Sequence, residues 1–139
     1  MCIRDSFRWV QGGGFFFILL LWKLRNFERT NIMFTRDDLV DEIYGASFLG
    51  GYYWIENTEE NGSTTIIHPA EGEPAVEVDK EKFAQAIDAW AEKNKDSGSD
   101  YYAKFSTDWL AGDWDAVDYD HGIADLILQE CVFGKHVFG

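Results

Sequence analysis

Residues 35–55 read TRDDLVDEIYGASFLGGYYWI, and this stretch decides the fold class because a helical pattern gives way within it to a strand pattern. Thr35 stands three residues before Asp38, which is the spacing of a helix capping box. Apolar side chains then recur at helical spacing. The Gly50–Gly51 pair ends the pattern, since glycine readily takes the left-handed conformation after a last helical turn. The spacing predicts a helix over 36–49.

The residues that follow this helix are typical of a small antiparallel sheet. Residues 52–55 are aromatic or β-branched and suit a pleated surface. Asn61–Gly62 is a turn signal, and residues 64–67 have the composition of a returning strand. Residues 75–78 fit a third short strand. The sequence therefore predicts a sheet of two to three strands.

Helical patterns return in the second half of the chain. Asp79 precedes the clearest amphipathic helix, which residues 97–99 (Ser-Gly-Ser) interrupt. Aromatic residues within 102–109 have the spacing of another short helix. The acidic stretch 113–120 leads into a last helix with Gly134 as its stop. The prediction is an α+β fold with an N-terminal helix, a small antiparallel sheet and then three helices.

The start of the chain differs from the rest. Residues 1–6 (MCIRDS), read back into codons, match the end of a transposon adapter used to build sequencing libraries. The apolar run 15–22 is too short to span a bilayer, which needs about 20 residues, and no signal-peptide cleavage site follows it. We interpret residues 1–32 as a non-native leader of adapter plus upstream translation, with Met33 as the native start. Residues 33–139 are then a single acidic globular domain.

The chain is strongly acidic. Its 139 residues include 12 Lys+Arg and 25 Asp+Glu, a formal net charge of −13. Residues 1–32 hold five basic and two acidic side chains, a net of +3, so residues 33–139 alone carry −16. Such a surface repels nucleic acid phosphates and anionic lipids. We expect no direct nucleic acid binding and no membrane binding, and a basic protein is the more plausible partner.

The acidic segment 113–120 is the one candidate for metal chemistry. Several carboxylates in a short loop could bind Ca²⁺ or serve a metal-dependent hydrolase. The EF-hand register fails, because position 12 counted from Asp118 is Gln129 instead of glutamate. The alternative is a solvated loop in which Asp118 or Asp120 caps the last helix. We expect no cofactor, and the weak metal candidates are Asp113, Asp115, Asp118 and Asp120.

Histidine and cysteine offer little further chemistry. His68, His121 and His136 have no second ligand at metal-binding spacing, and we expect His121 to be a neutral surface residue. Cys2 and Cys131 cannot form a disulfide framework, and Cys131 fits a packed thiol on an apolar helix face. No nucleophile motif or phosphate-binding glycine loop is present. We therefore do not expect an enzyme.

Two groups of residues are candidates for contact with a partner. Tyr and Trp are enriched in binding hot spots, and in a strand Tyr52 and Trp54 would face one way while Tyr53 and Ile55 would face the other. Carboxylates on the first helix, together with segment 113–120, could stand in for phosphates and mimic nucleic acid. The helix residues concerned are Asp37, Asp38, Asp41 and Glu42.

Motifs at both ends of the domain carry a family resemblance. Gly50-Gly51-Tyr52-Tyr53-Trp54 follows an amphipathic helix, and Asp115-Ala116-Val117-Asp118-Tyr119-Asp120 leads to Gln129, Phe133-Gly134 and Phe138-Gly139. With these two motifs the chain resembles small proteins of actinobacterial phages and prophages. In those proteins the position of Tyr119 is usually alanine and that of Phe138 is usually tyrosine. The resemblance implies an accessory protein in the bacterial cytoplasm. It implies no activity, cofactor or catalytic residue.

Three functions therefore remain open. The leading hypothesis is a small acidic phage accessory protein that binds another protein, with nucleic acid mimicry as its most concrete form. The second is a metal-dependent hydrolase that uses the carboxylates of segment 113–120. The third is a minor structural or assembly protein of the virion.

Overall fold

The first helix, α1, spans Arg36–Gly50 in the computed structural model, which describes residues 34–139. The expected leader 1–32 and the expected start at Met33 lie outside the described residues. The predicted capping box is present, because Thr35 Oγ1 accepts from the Asp38 amide at 3.2 Å and Asp38 Oδ2 accepts from the Thr35 amide at 3.1 Å. The predicted helix over 36–49 is confirmed.

The sheet has three antiparallel strands in the order β1-β2-β3. They span Ile55–Asn61, Thr64–Pro69 and Val76–Val78, respectively. A tight turn at Gly62, with φ of 66°, joins the first two strands. The sheet and its third strand match the sequence prediction.

The start of β1 is where the prediction was wrong. Residues 52–54 form a turn and not a strand, because the amides of Trp54 and Ile55 both donate to the Gly51 carbonyl at 3.0 Å. Strand β1 begins only at Ile55. The aromatic composition of 52–55 suited a strand, but these hydrogen bonds close the chain into a turn instead.

Three more helices complete the described part of the chain. Helices α2, α3 and α4 span Lys80–Asn94, Asp100–Leu110 and His121–Phe133, with Asp79, Ser99 and Asp120 as their N-caps. Gly134, at φ of 74°, ends α4 as the sequence predicted. Residues 34–139 thus hold four helices and a three-stranded sheet, which is an α+β fold.

The core lies around α4, which packs against α1, α2 and β3. Ile123, Ile127 and Leu128 of this helix are fully buried. Helices α1, α2 and α3 are also joined by Asp88, which accepts from Arg36 Nη2 at 3.0 Å and from Trp109 Nε1 at 2.8 Å. Within residues 34–139, no helix is long and apolar enough to cross a membrane.

Candidate functional site

A polar cluster joins the turn before β1, helix α4 and the last residues of the chain. We call it the clasp, and its members are Tyr53, Trp54, Asp125, Gln129 and Phe138. Asp125, which is buried on α4, accepts from Trp54 Nε1 at 2.6 Å through Oδ1 and from the Tyr53 hydroxyl at 2.6 Å through Oδ2. Two aromatic side chains of the turn are thereby tied to the central helix.

Gln129, one helical turn after Asp125, holds the C-terminal residues. Its side-chain oxygen accepts from the amides of Val137 and Phe138, both at 2.8 Å, and its nitrogen donates to the Phe138 carbonyl at 3.1 Å. The Phe138 ring then stacks on Trp54, with ring centroids 5.8 Å apart and planes 4° from parallel. The clasp therefore combines polar and aromatic contacts.

The clasp also changes the acidity of Tyr53. Burial, the hydrogen bond to Asp125 and the charge of Asp125 raise the pKa of the Tyr53 hydroxyl to about 12. Tyr53 therefore remains a protonated donor across the physiological range. Tyr53, Trp54, Gln129 and Phe138 of the clasp also belong to the two sequence motifs noted above, and these contacts give the four positions a structural role.

The aromatic residues do not have the placement expected for a strand. Trp54 is 1% exposed and therefore offers no surface to a partner. Tyr53 is 48% exposed, although its hydroxyl donates to Asp125. Tyr52 is 78% exposed. The expected alternation, with Tyr52 and Trp54 on one face, was wrong because the segment is a turn.

The four acidic residues of α1 have different environments. Asp37 is exposed, Asp38 belongs to the capping box, and Asp41 Oδ1 lies 2.8 Å from Lys80 Nζ. Glu42 is 2% exposed and its Oε1 accepts from the Tyr119 hydroxyl at 2.5 Å. The expectation that Glu42 contributes to a surface patch was wrong, because its position on α1 faces the core and Tyr119.

The acidic loop before α4 provides the N-cap of that helix. Asp120 accepts from the Ile123 amide at 2.9 Å as the N-cap, and Asp118 accepts from the Tyr119 amide at 3.1 Å. Asp113 and Asp115 are exposed. Between residues 34 and 139, no three His, Cys, Asp or Glu side chains are grouped so that they could hold a metal ion.

A groove of about 1080 Å³ lies beside the edge of the sheet. We call it the α1–β1 groove. Thr58 and Glu60 of β1 lie opposite the buried residues Ile67 and Thr65 of β2, so they share the inner side of the sheet. Both are nevertheless exposed. Among the described residues, the inner side of β2 is therefore buried, whereas the inner side of β1 is exposed.

The groove has an apolar part and an acidic part. Side chains from α1, the turn and β1 form the apolar part, namely Tyr44, Phe48, Tyr52 and Ile55. Carboxylates from β1 and the start of α2 form the acidic part, namely Glu56, Glu60, Asp79 and Glu81. Lys80 also lines the groove, where it pairs with Asp41.

Two groups with altered acidity lie on α4. Burial raises the pKa of the Cys131 thiol to about 11, so this cysteine is protonated and a poor nucleophile at neutral pH. Burial lowers the pKa of His121, against an opposing effect of Asp120. The expectation of His121 as a surface residue was wrong, because the residue is half-buried at the start of α4.

Sequence reasoning missed two features of the site. Asp125 had a visible signal, since it is a single carboxylate in the apolar run from Ile123 to Leu128 and a charge there needs a partner. The groove had none, because it depends on how far the helices extend over the sheet. No protein-family model, curated protein or solved structure matches this chain.

Proposed function

We propose that the protein is a small acidic accessory protein of a phage or prophage, that it works in the bacterial cytoplasm by binding another protein, and that the α1–β1 groove is the binding surface. The observation that supports this most is Tyr52, a large aromatic side chain that is 78% exposed and lines the groove. Exposed aromatic residues beside a concave surface are typical of binding hot spots. The family resemblance supports the phage setting.

The shape of the groove favours a protein over a small molecule. Ligand pockets bury most of the ligand surface and are lined mainly by apolar groups with a few polar ones. The α1–β1 groove is open to solvent along the edge of β1 and carries four carboxylates. A segment of another protein can cover such a surface, whereas a small molecule would remain largely in water.

Nucleic acid mimicry is a narrower form of the same proposal. Asp37, exposed on α1, supports it. The pairing of Asp41 with Lys80, the burial of Glu42 and the capping role of Asp120 count against it. A competition assay tests it with labelled DNA bound to a host DNA-binding protein. Mimicry should be dropped if the protein displaces no DNA.

Affinity capture with matched variants tests the proposed surface. The tagged protein is used to capture partners from host and phage-infected lysates, alongside Tyr52→Ser and the control Leu110→Ser. Leu110 is also an exposed apolar residue, at 42%, but it lies on α3 and does not line the groove. We expect Tyr52→Ser to lose a partner that the wild type and Leu110→Ser retain. Equal capture by all three proteins, or capture of nothing by the wild type, would overturn the proposal.

A further inference from the structure

We infer that the α1–β1 groove binds a basic segment of a partner protein that carries one large apolar side chain. This inference rests on the proposed function and adds the chemistry of the partner to it. Three properties of the groove support it, namely its apolar part, its charge and the strand edge beside it.

The apolar part of the groove is suited to one inserted side chain. Tyr44 and Phe48 are one helical turn apart on α1, and their rings meet edge to face with centroids 5.1 Å apart. Ile55, at the start of β1, and Tyr52, which is 78% exposed, also line the groove. Gly45 contributes no side chain to the same wall. A leucine or an aromatic side chain placed here would contact apolar groups on several sides.

The charge of the groove selects a basic segment around that side chain. Four carboxylates line it, whereas Lys80 is the single Lys or Arg among the described lining residues. Lys80 Nζ is already 2.8 Å from Asp41 Oδ1. Asp79 Oδ1 accepts from the Lys82 amide at 2.8 Å as the N-cap of α2, but none of the four carboxylates forms an ion pair with another described residue. Lysine or arginine in the partner would be attracted to this negative charge, and an acidic segment would be repelled.

The charge along the edge of the sheet argues against a second copy of the protein as the occupant. Within the described residues, β1 pairs with β2 on one side and leaves its other edge open. Glu56, Glu59 and Glu60 lie along this edge. Charged side chains on an open edge prevent like strands from pairing. The same charges attract a basic segment.

Synthetic peptides provide the probes for a direct test. The first is a short lysine-rich peptide with one central leucine, the second replaces that leucine with serine, and the third replaces the lysines with glutamate. Each carries fluorescein and is titrated with the full chain, with anisotropy as the readout. We expect the first peptide to bind roughly tenfold more tightly than the second and the third not to bind.

Charge-reversal variants locate the binding and control for net charge. Glu60→Lys combined with Glu81→Lys changes the groove, whereas Glu71→Lys combined with Glu73→Lys makes the same change in net charge in the exposed turn after β2. Circular dichroism confirms that both variants fold. We expect the first pair to weaken binding about tenfold and the second pair to stay within about twofold of the wild type. Equal weakening by both pairs, or none by the first, would overturn the inference.

The two proposals fail in different ways. Tyr52-dependent capture without binding of the lysine-leucine peptide would leave the proposed function in place and refute the basic partner. Failure of both capture and peptide binding would refute both.

Discussion

Replacement of Asp125 by alanine tests whether the clasp stabilises the fold. The change removes the acceptor of three hydrogen bonds, from Trp54 Nε1 and the Tyr53 hydroxyl at 2.6 Å and from Gln129 Nε2 at 3.3 Å. The Trp54 indole is buried and cannot turn to water, so its unpaired N–H costs about 1–3 kcal/mol. The Tyr53 hydroxyl is partly exposed and can still donate to the Phe138 carbonyl at 3.2 Å. Loss of its hydrogen bond to Asp125 therefore adds only about 0.5–1.5 kcal/mol. We expect Asp125→Ala to lower the free energy of unfolding by about 2–4 kcal/mol.

Urea unfolding followed by circular dichroism measures this loss, and a double-mutant cycle assigns it to the clasp. Tyr53→Phe alone should cost about 1 kcal/mol. Combined with Asp125→Ala it should cost about 1 kcal/mol less than the sum of the two, because both changes remove the same hydrogen bond. Asp115→Ala is the control, since this carboxylate is exposed in the loop before α4 and its loss should stay within about 0.5 kcal/mol. If Asp125→Ala were no more destabilising than Asp115→Ala, the reasoning about the buried indole would be refuted.

Three other predictions concern α4 and its neighbours. A methyl group on Gly50 would meet the His121 carbonyl oxygen at 2.5 Å, so Gly50→Ala should lower the free energy of unfolding by about 1–3 kcal/mol. A methyl group on Gly98 would meet nothing within 4 Å, so Gly98→Ala should not be destabilising in this way. Equal melting temperatures of the two variants would contradict this prediction. Because burial lowers the pKa of His121 below its ordinary 6.5, the unfolded chain takes up this proton more readily. The free energy of unfolding should therefore fall as the pH drops below about 6.5, and His121→Gln should show a flatter profile in urea unfolding at a series of pH values. Burial raises the pKa of Cys131 to about 11, so in a Cys2→Ser chain this thiol should react with a thiol reagent at neutral pH only once urea unfolds the protein. Rapid reaction of the native protein would show that the thiol is not protected.

The sequence predicted the features that depend on neighbours along the chain. Thr35 and Asp38 cap α1 through contacts three residues apart, and Asp120 caps α4 in the same way. Gly134 ends α4 because its own backbone takes the left-handed conformation. Each of these needs only a short segment to be recognised, so the helices were placed almost correctly.

Features that depend on distant parts of the chain could not be predicted. Trp54 lies in a turn and not in the predicted strand, and its indole N–H donates to Asp125, which is 71 residues later in the chain. Glu42 is buried by Tyr119, 77 residues later. Local composition holds no information about these partners, and the α1–β1 groove likewise exists only once the helices and the sheet have packed.

The clasp has a consequence for the rates of folding and unfolding. The hydrogen bonds that Tyr53 and Trp54 make with Asp125 and Phe138 join residues 71 to 85 positions apart. Closing loops of that size costs entropy before any contact is gained. We therefore expect these contacts to form late in folding, after the helices and the β1–β2 hairpin. Interactions absent from the transition state act on the unfolding rate and not on the folding rate. Loss of the clasp should therefore shorten the lifetime of the folded state while the chain continues to fold about as fast as before.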